Sequence, residues 1–277
     1  MTAANLIAGI ELTALLFSLA FLAFLPIELV SRWRRRQLNW QTVKEMLASS
    51  SPLILTILSG GLVIAFIVSL YSNASSLAPW SIPNSPVSIL ACFLLIDFLY
   101  YIDHRCGHRV RAYWAISHSV HHSSPQYDQT TAFRISFVDG FISPWFYTPA
   151  LLIGFDLTLV LACFGLILGY QQWLHTETVG KLPWLDPWLN TPSNHRVHHG
   201  SQPQYIDKNY AAVLIIWDRL FATYQAEEEP VVYGIIHPIG SSNPILVHIW
   251  ELRRLWADLR QASTWRKRIS LVIRAPE

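Results

Sequence analysis

Leu6 to Val30 is a nearly unbroken apolar run, with Glu11 well inside it and Glu28 near its end. Pro52 to Tyr71 and Val87 to Ile102 are two more. A helix needs about 20 consecutive apolar residues to cross the hydrocarbon core of a bilayer. The pattern therefore predicts spans over 6–30, 52–71 and 87–102. Phe141 to Gly154 and Leu157 to Tyr170 form a further pair, parted by Gly154, Phe155 and Asp156, and the first arm is short and carries Pro144 and Pro149. This pair predicts a hairpin over 141–170, either a full crossing or a re-entrant loop that crosses in part. From Lys181 onward no run is long enough to span. The expected fold is all-α: a single membrane-embedded domain over 1–277, with about four spans, or five with a re-entrant hairpin. A helical cap is expected from 103–140 and 171–277.

Charge orients this bundle. The segment before the first run has no basic residue, so it lacks the charged start of a signal peptide and reads as a retained anchor. Arg32, Arg34, Arg35 and Arg36 follow the run at once, which assigns that end to the cytoplasm. Ser72 to Pro86 carries no charge and suits the outer face. The cap is then cytoplasmic. Composition agrees: 52% of residues are hydrophobic and 14% charged, against about 25% charged in soluble domains. A net charge of +2 argues against nucleic acid as a partner. Three cysteines imply no disulfide framework. Cys92 and Cys163 sit in apolar runs as packing residues, and Cys106 would point about 200° away from His104 on a helix, so it is not expected to be a ligand. Near the C-terminus Arg253, Arg254, Arg266, Lys267 and Arg268 interleave with Trp250, Trp256 and Trp265, a pattern suited to helices lying on an anionic membrane surface, with His248 interfacial. Glu227 to Glu229 reads as a solvated acidic run.

The histidines change the picture most. His118-x-x-His121-His122 and His195-x-x-His198-His199 repeat one H-x-x-H-H spacing. His104-x-x-x-His108 precedes the first copy and His175 lies between the two. Nine of eleven histidines fall in these four places, all on the cytoplasmic side of the predicted topology. His104 and His108 are one helical turn apart on one face. In H-x-x-H-H the first histidine shares a face with both later ones, which diverge from each other by about 100°. One such segment can serve two adjacent metals. Nine imidazoles are too many for one ion and suit two, with room for water or O2, which favours iron over a closed four-ligand zinc site. Asp97 lies inside the third span, on the same helical face as Tyr101, His104 and His108. An acid within a span is costly and usually functional, so Asp97 is expected to orient an imidazole N–H. Asp207 and Asp218 are open to the same role or to capping and surface ion pairing.

Asp103-His104-Arg105 to His108, Trp114 to Ser124 and Thr191-Pro192-Ser193 to His199 resemble the fatty acid hydroxylase superfamily, the sterol desaturase family. The resemblance runs from about Asp97 to Pro238. It implies a membrane di-iron, O2-dependent lipid C–H hydroxylase that takes a membrane lipid, O2 and an external reductant or redox partner, since nothing in the chain resembles a haem, flavin or nicotinamide site. It implies His104, His108, His118, His121, His122, His175, His195, His198 and His199 as ligands of two Fe ions, with Zn able to replace iron in recombinant protein. Gln172 to Glu177, Tyr205 to Tyr210, Leu214 to Phe221 and Val232 to Pro238 are similar to the ether-lipid-cleaving branch, which implies a reduced, tetrahydrobiopterin-like pterin as electron donor. The alternative is a sterol, carotenoid or fatty acyl hydroxylase or desaturase, and a more distant one a metal-binding membrane transporter. The chain departs from the family pattern in two places. Val179 stands where many hydroxylases have a histidine, and Asn194 stands where the ether-cleaving branch often has another. A tenth ligand is then absent or comes from elsewhere: His237, or Asn194 or Glu177 through water.

Overall fold

The computed structural model describes residues 3–276; Met1, Thr2 and Glu277 of the expected 1–277 domain lie outside the described residues. The described chain is helical, with two isolated bridges, Leu189 to Leu214 and Gly200 to Tyr233, and no strand among its described residues. Helix α1 covers Ala3–Arg34, α2 Trp40–Ser76, α3 Pro86–Arg109 and α4 Leu157–Gln171. Four helical segments are long and apolar enough to cross a membrane, the last running on through Leu174. Leu12, Leu58 and Leu62 are mostly exposed, an arrangement stable only if lipid covers them. The buried core lies between α3, α4 and the first hairpin arm, where Cys92, Ile96, Leu151, Leu159, Cys163 and Ile167 are fully enclosed.

Local chemistry sets the helix starts. Ser85 and Ser88 form a reciprocal cap ahead of α3, with Pro86 in the first turn. Asp156 caps α4 through the Leu159 N–H. The 37 residues of α2 span roughly 55 Å, far more than the hydrocarbon core. Its second half matches the predicted span. Its first half instead buries Thr42, Glu45 and Ser49, and so leaves the membrane-spanning zone to brace the cap.

The first hairpin arm is irregular, as its prolines suggest: Asp139–Ile142 is α, Ser143–Tyr147 is 3-10 and Thr148–Leu152 is α again. Its tip reaches the connection between α2 and α3. The Trp80 indole N–H donates to the Ile153 carbonyl at 2.6 Å and the Ile82 N–H to the Gly154 carbonyl at 2.8 Å. Gly154 turns there at φ +103, where a Cβ would also strike the Trp80 carbonyl at 2.5 Å. The arm's tip therefore packs against the α2–α3 connection, while the arm itself is not among the four segments long and apolar enough to cross a membrane.

The cap closes the other end. It comprises α5 (Pro192–His198), α6 (Pro244–Gln261), α7 (Trp265–Ile273) and the loops between them. Arg32 belongs to it: its guanidinium meets the Tyr127 carbonyl and lies 3.7 Å from Asp128, so this arginine is a buried partner rather than a free surface charge. The arginine-rich end of α1 and all nine clustered histidines share this end of the molecule.

Candidate metal centre

Nine imidazoles converge in two groups. His104, His108, His118, His122 and His198 offer nitrogens that all lie within 4.8 Å of one another, and so do His121, His175, His195 and His199. His104 and His108 sit on the last turns of α3. His118 ends a π-helical turn, Trp114–His118, and His121 and His122 follow in a short α turn, Ser119–His122. Gly107 lets this segment approach: a Cβ there would meet His118 Cγ at 3.2 Å. His175 follows a 3-10 turn, Gln172–Leu174, and His195 and His198 come from α5, with His199 as its C-cap.

The distances fit metal ions. His104 Nε2 lies 3.1 Å from His118 Nε2, and His108 Nε2 lies 3.2 Å from His122 Nε2. In the other group His175 Nε2 is 3.2 Å from His121 Nε2 and 3.0 Å from His195 Nε2. Two imidazole nitrogens at adjacent positions about 2.1 Å from one ion would be about 3 Å apart. Tautomers add to this. The His104 Nδ1–H donates to the Tyr210 carbonyl at 2.8 Å and the His198 Nδ1–H to the Lys208 carbonyl at 2.9 Å. Both rings therefore turn an unprotonated Nε2 into the cluster. His198 Nε2 and His199 Nε2 are buried with no hydrogen-bond partner among the described residues. Lone pairs turned inward in this way suit a cation at the centre of the cluster.

The rings also stay neutral. Burial first, then neighbouring imidazoles, hold His118, His122, His198, His121, His195 and His199 well below the ordinary histidine value. Burial lowers His175 to about 3. Neutral imidazole is the metal-binding form. An all-imidazole donor set suits Fe, Zn, Cu or Ni and disfavours Mg or Ca.

A family profile described as fatty acid hydroxylase matches residues 89–223, about half of the chain and every one of the nine histidines. Human alkylglycerol monooxygenase is 43% identical over 199 residues, covering 72% of this chain and 43% of that protein. The Xenopus tropicalis alkylglycerol monooxygenase is 42% identical over the same shares, and the Caenorhabditis elegans one 36% identical over 180 residues, 63% of this chain and 34% of its own. This chain belongs to the fatty acid hydroxylase family. It spans less than half the length of these relatives. No solved structure matches it.

Within this family member, the side residues expected from the sequence behave differently from the nine. Asp97 does not orient an imidazole. Its carboxylate accepts from the Val213 and Leu214 N–H groups and from the Trp217 indole, so it anchors the loop that follows Tyr210 and acts on His104 only through that loop. Asp218 does similar work closer in, accepting from the Tyr210 and Ala211 N–H groups at 2.8 Å. Asp207 lies 3.8 Å from His108 Nδ1 and pairs with Arg109. Asn194 spends its amide N–H groups on the Asp186 and Leu189 carbonyls. Glu177 is exposed and accepts from the Tyr233 hydroxyl at 3.1 Å. His237 is exposed, and neither it nor Glu177 joins either ligand group. No tenth histidine, cysteine or carboxylate ligand stands among the described residues. Cys106 stays outside as expected. Glu227 corrects the reading of a solvated acidic run: it binds Arg196 through both oxygens, at 2.9 and 2.7 Å, and accepts from Ser193 at 2.7 Å, bracing α5.

Several supports were not foreseen. Glu28 on α1, 1% exposed, accepts from the Gln129 N–H at 2.8 Å and the Thr176 hydroxyl at 2.7 Å, beside His175. Buried Arg134 donates to the Val120 carbonyl at 3.0 Å, inside the first H-x-x-H-H, and lies 3.6 Å from Glu45 of α2. The Tyr127 ring lies 5.0 Å from His199 and that of Tyr210 5.2 Å from His108, one tyrosine beside each group. The available cue was an acid near the end of a span, and Glu28 met it as fully as Asp97 did.

Proposed function

We propose that this protein is a membrane di-iron, O2-dependent lipid C–H hydroxylase that oxidises the ether-linked carbon of alkylglycerols. The observation that carries this reading is the pairing of nine imidazoles, eight of them buried, five and four, at one end of four membrane-capable helices. The relatives named alkylglycerol monooxygenase support the substrate class. We read the chain as one membrane-embedded domain with this end in the cytoplasm, from the arginines that follow α1.

The nine histidines would hold two iron ions, or zinc in recombinant protein, and those ions when reduced supply O2 activation for attack on an unactivated C–H bond. What the chain itself does follows from its contacts. The Tyr210 and Lys208 carbonyls fix two ring tautomers, so that no proton competes for those nitrogens. Burial of all four rings of the four-histidine group keeps bulk water from that side of the site, which favours oxidation of a bound carbon over side reactions. The apolar spans present a lipid at the depth where α3 delivers His104. A C–H beside an ether oxygen is weaker than an ordinary methylene C–H, and hydroxylation there yields a hemiacetal that breaks into an aldehyde and a glycerol fragment. The chain offers no haem, flavin or nicotinamide motif. A reduced pterin is the proposed electron donor, as the likeness to the ether-lipid-cleaving branch implies.

The test is to incubate iron-loaded protein with an alkylglycerol, a tetrahydropterin and O2, and to assay fatty aldehyde. Aldehyde formed in step with pterin oxidation supports the reading. Hydroxylation of a sterol, carotenoid or acyl chain under matched conditions, without aldehyde, overturns it.

A further inference from the structure

A cleft leads from the surface of the cap to the five-histidine group alone. His108, His122 and His198 form its floor, and none of the four-histidine ligands lines it. Apart from His108, every lining residue comes from outside the span-capable helices. The cleft thus opens beside the Pro244–Gln261 helix of the cap and not between the span-capable helices. A reactant that dissolves in water can reach it through this mouth, whose lining carries Asp207, Glu251 and Arg254.

Its walls are chemically mixed in a specific way. The Trp114 ring stands 5.2 Å from His108 and 5.6 Å from His122, a flat wall beside the floor. Buried Ile235 and exposed Ile236 line the cleft with Gly234. Asp207 and Glu251 bring carboxylates and Arg254 a guanidinium. Asp207 is held there by a left-handed backbone, φ +62, and by Arg109. The Glu251 side chain is 7% exposed and Arg254 Nη1 donates to its Oε1 at 2.7 Å. Two carboxylates beside a flat aromatic wall accept from N–H groups on the edge of a planar ring and stack on its face.

We propose that this cleft is the docking site of a small, water-soluble two-electron reductant with a planar, hydrogen-bond-donating ring. This rests on the monooxygenase reading above and places its electron donor. The balance is simple. R–H and O2, with two electrons and two protons from the donor, give R–OH and H2O. The donor leaves two electrons and two protons poorer, and its oxidised form departs by the same mouth. Lipid then enters from the spans and reductant from the cap, and the two do not compete for one path.

The experiment uses full-length, zinc-loaded protein in nanodiscs, where no redox turnover can occur, and tetrahydropterin as the probe under anaerobic conditions. Binding is read by calorimetry for the parent and for Ile236→Trp, which fills the mouth from an exposed position, and Glu251→Gln, which removes a charge from the wall. The expected result is a Kd raised at least tenfold in both variants, with zinc unchanged at two per chain and alkylglycerol affinity unchanged. Equal tetrahydropterin affinity in parent and both variants overturns the proposal. So does a loss of alkylglycerol affinity in its place, which would make the cleft the seat of the lipid's glycerol end. No binding by the parent overturns it too. A single turnover of the parent, iron-loaded and reduced by dithionite before alkylglycerol and O2 are added, tests the monooxygenase reading separately. Absence of aldehyde there sinks that reading and leaves the binding result to stand alone.

Discussion

The two histidine groups are built from the same motif and yet differ in support. In the first H-x-x-H-H, His118 and His122 join the five-histidine group and His121 joins the four. In the second the assignment is exchanged: His195 and His199 join the four and His198 the five. Each motif therefore gives its one-turn pair to the nearer group and its middle histidine to the other. The inequality comes from what is added. The end of α3, a regular helix, contributes two rings at i and i+4. The other addition is His175, which follows a 3-10 turn at φ −82 and ψ 69 and contributes one. Val179, four residues on, is no helical neighbour of His175: its carbonyl turns to Arg196 at 2.7 Å. The five-histidine group is thus rooted in a spanning helix and open to a cleft. The four-histidine group is rooted in loops, and Glu28, Arg196 and Glu227 compensate.

The exchange of middle histidines gives the largest expected effects. His121→Ala and His198→Ala should each abolish turnover, by more than about a thousandfold, because both metals take part in one reaction. Metal content should separate them. His121→Ala should empty the four-histidine group and His198→Ala weaken the five, each leaving close to one equivalent on elemental analysis. If either variant kept two tightly held metals, the exchanged assignment would be wrong.

Glu28→Gln probes the compensation. The change keeps the volume but removes the charge that accepts from Gln129 and Thr176. Partners of this kind typically contribute about 10–100-fold in metal affinity. The four-histidine group should lose affinity by that order while the five-histidine group holds, which competition against a graded chelator resolves as two separate steps. Equal weakening of both groups would erase the distinction between loop-rooted and helix-rooted ligands.

Acid should reveal where the groups agree. In metal-free protein the rings outside the spans are held neutral by burial, with His175 lowered to about 3. The unfolded chain would bind protons near the ordinary value of about 6.5. A depressed folded value means the unfolded state takes up more protons, so stability is full above about pH 6.5 and falls as pH drops toward 3. Chemical denaturation of metal-free protein across that window should show a steady decline. Bound metal should delay it, since protons and metal compete for the same nitrogens. A stability flat from pH 7 to 4 would contradict neutral burial.

The membrane-capable helices and the convergence of the nine histidines were legible because each follows a local pattern. Apolar runs set the spans, and i, i+3, i+4 spacing set the ligands, whatever the surrounding loops do. The supports were not legible because they join residues far apart in the chain. Glu28 meets Thr176, Arg32 meets Asp128 and Arg134 meets Glu45. Asp97 misled for a related reason. Its helical face was read correctly, but the loop at Val213 and Leu214 interposes between it and the imidazoles, and no local pattern announces that loop. The first half of α2 is a third case: no pattern in the sequence marked it, and Thr42, Glu45 and Ser49 make it a buried strut.

The smallest effect expected is at Gly107, and it tests how closely the helix-rooted group depends on backbone approach. Two terms oppose each other in Gly107→Ala. Alanine favours the helix by about 0.8–1 kcal/mol over glycine. Its methyl would sit 3.2 Å from His118 Cγ, closer than van der Waals contact, so the ring must yield by a few tenths of an ångström. Global stability should therefore change little, because the propensity gain offsets most of the crowding. Ligand geometry has no such compensation, since His118 must keep its nitrogen 3.1 Å from that of His104. The variant should unfold within a few degrees of the parent yet release metal from the five-histidine group several-fold faster, with the four-histidine group unchanged. Unchanged release from both groups would mean that the π-helical turn absorbs the shift, and that the helix-rooted group is as adaptable as the loop-rooted one.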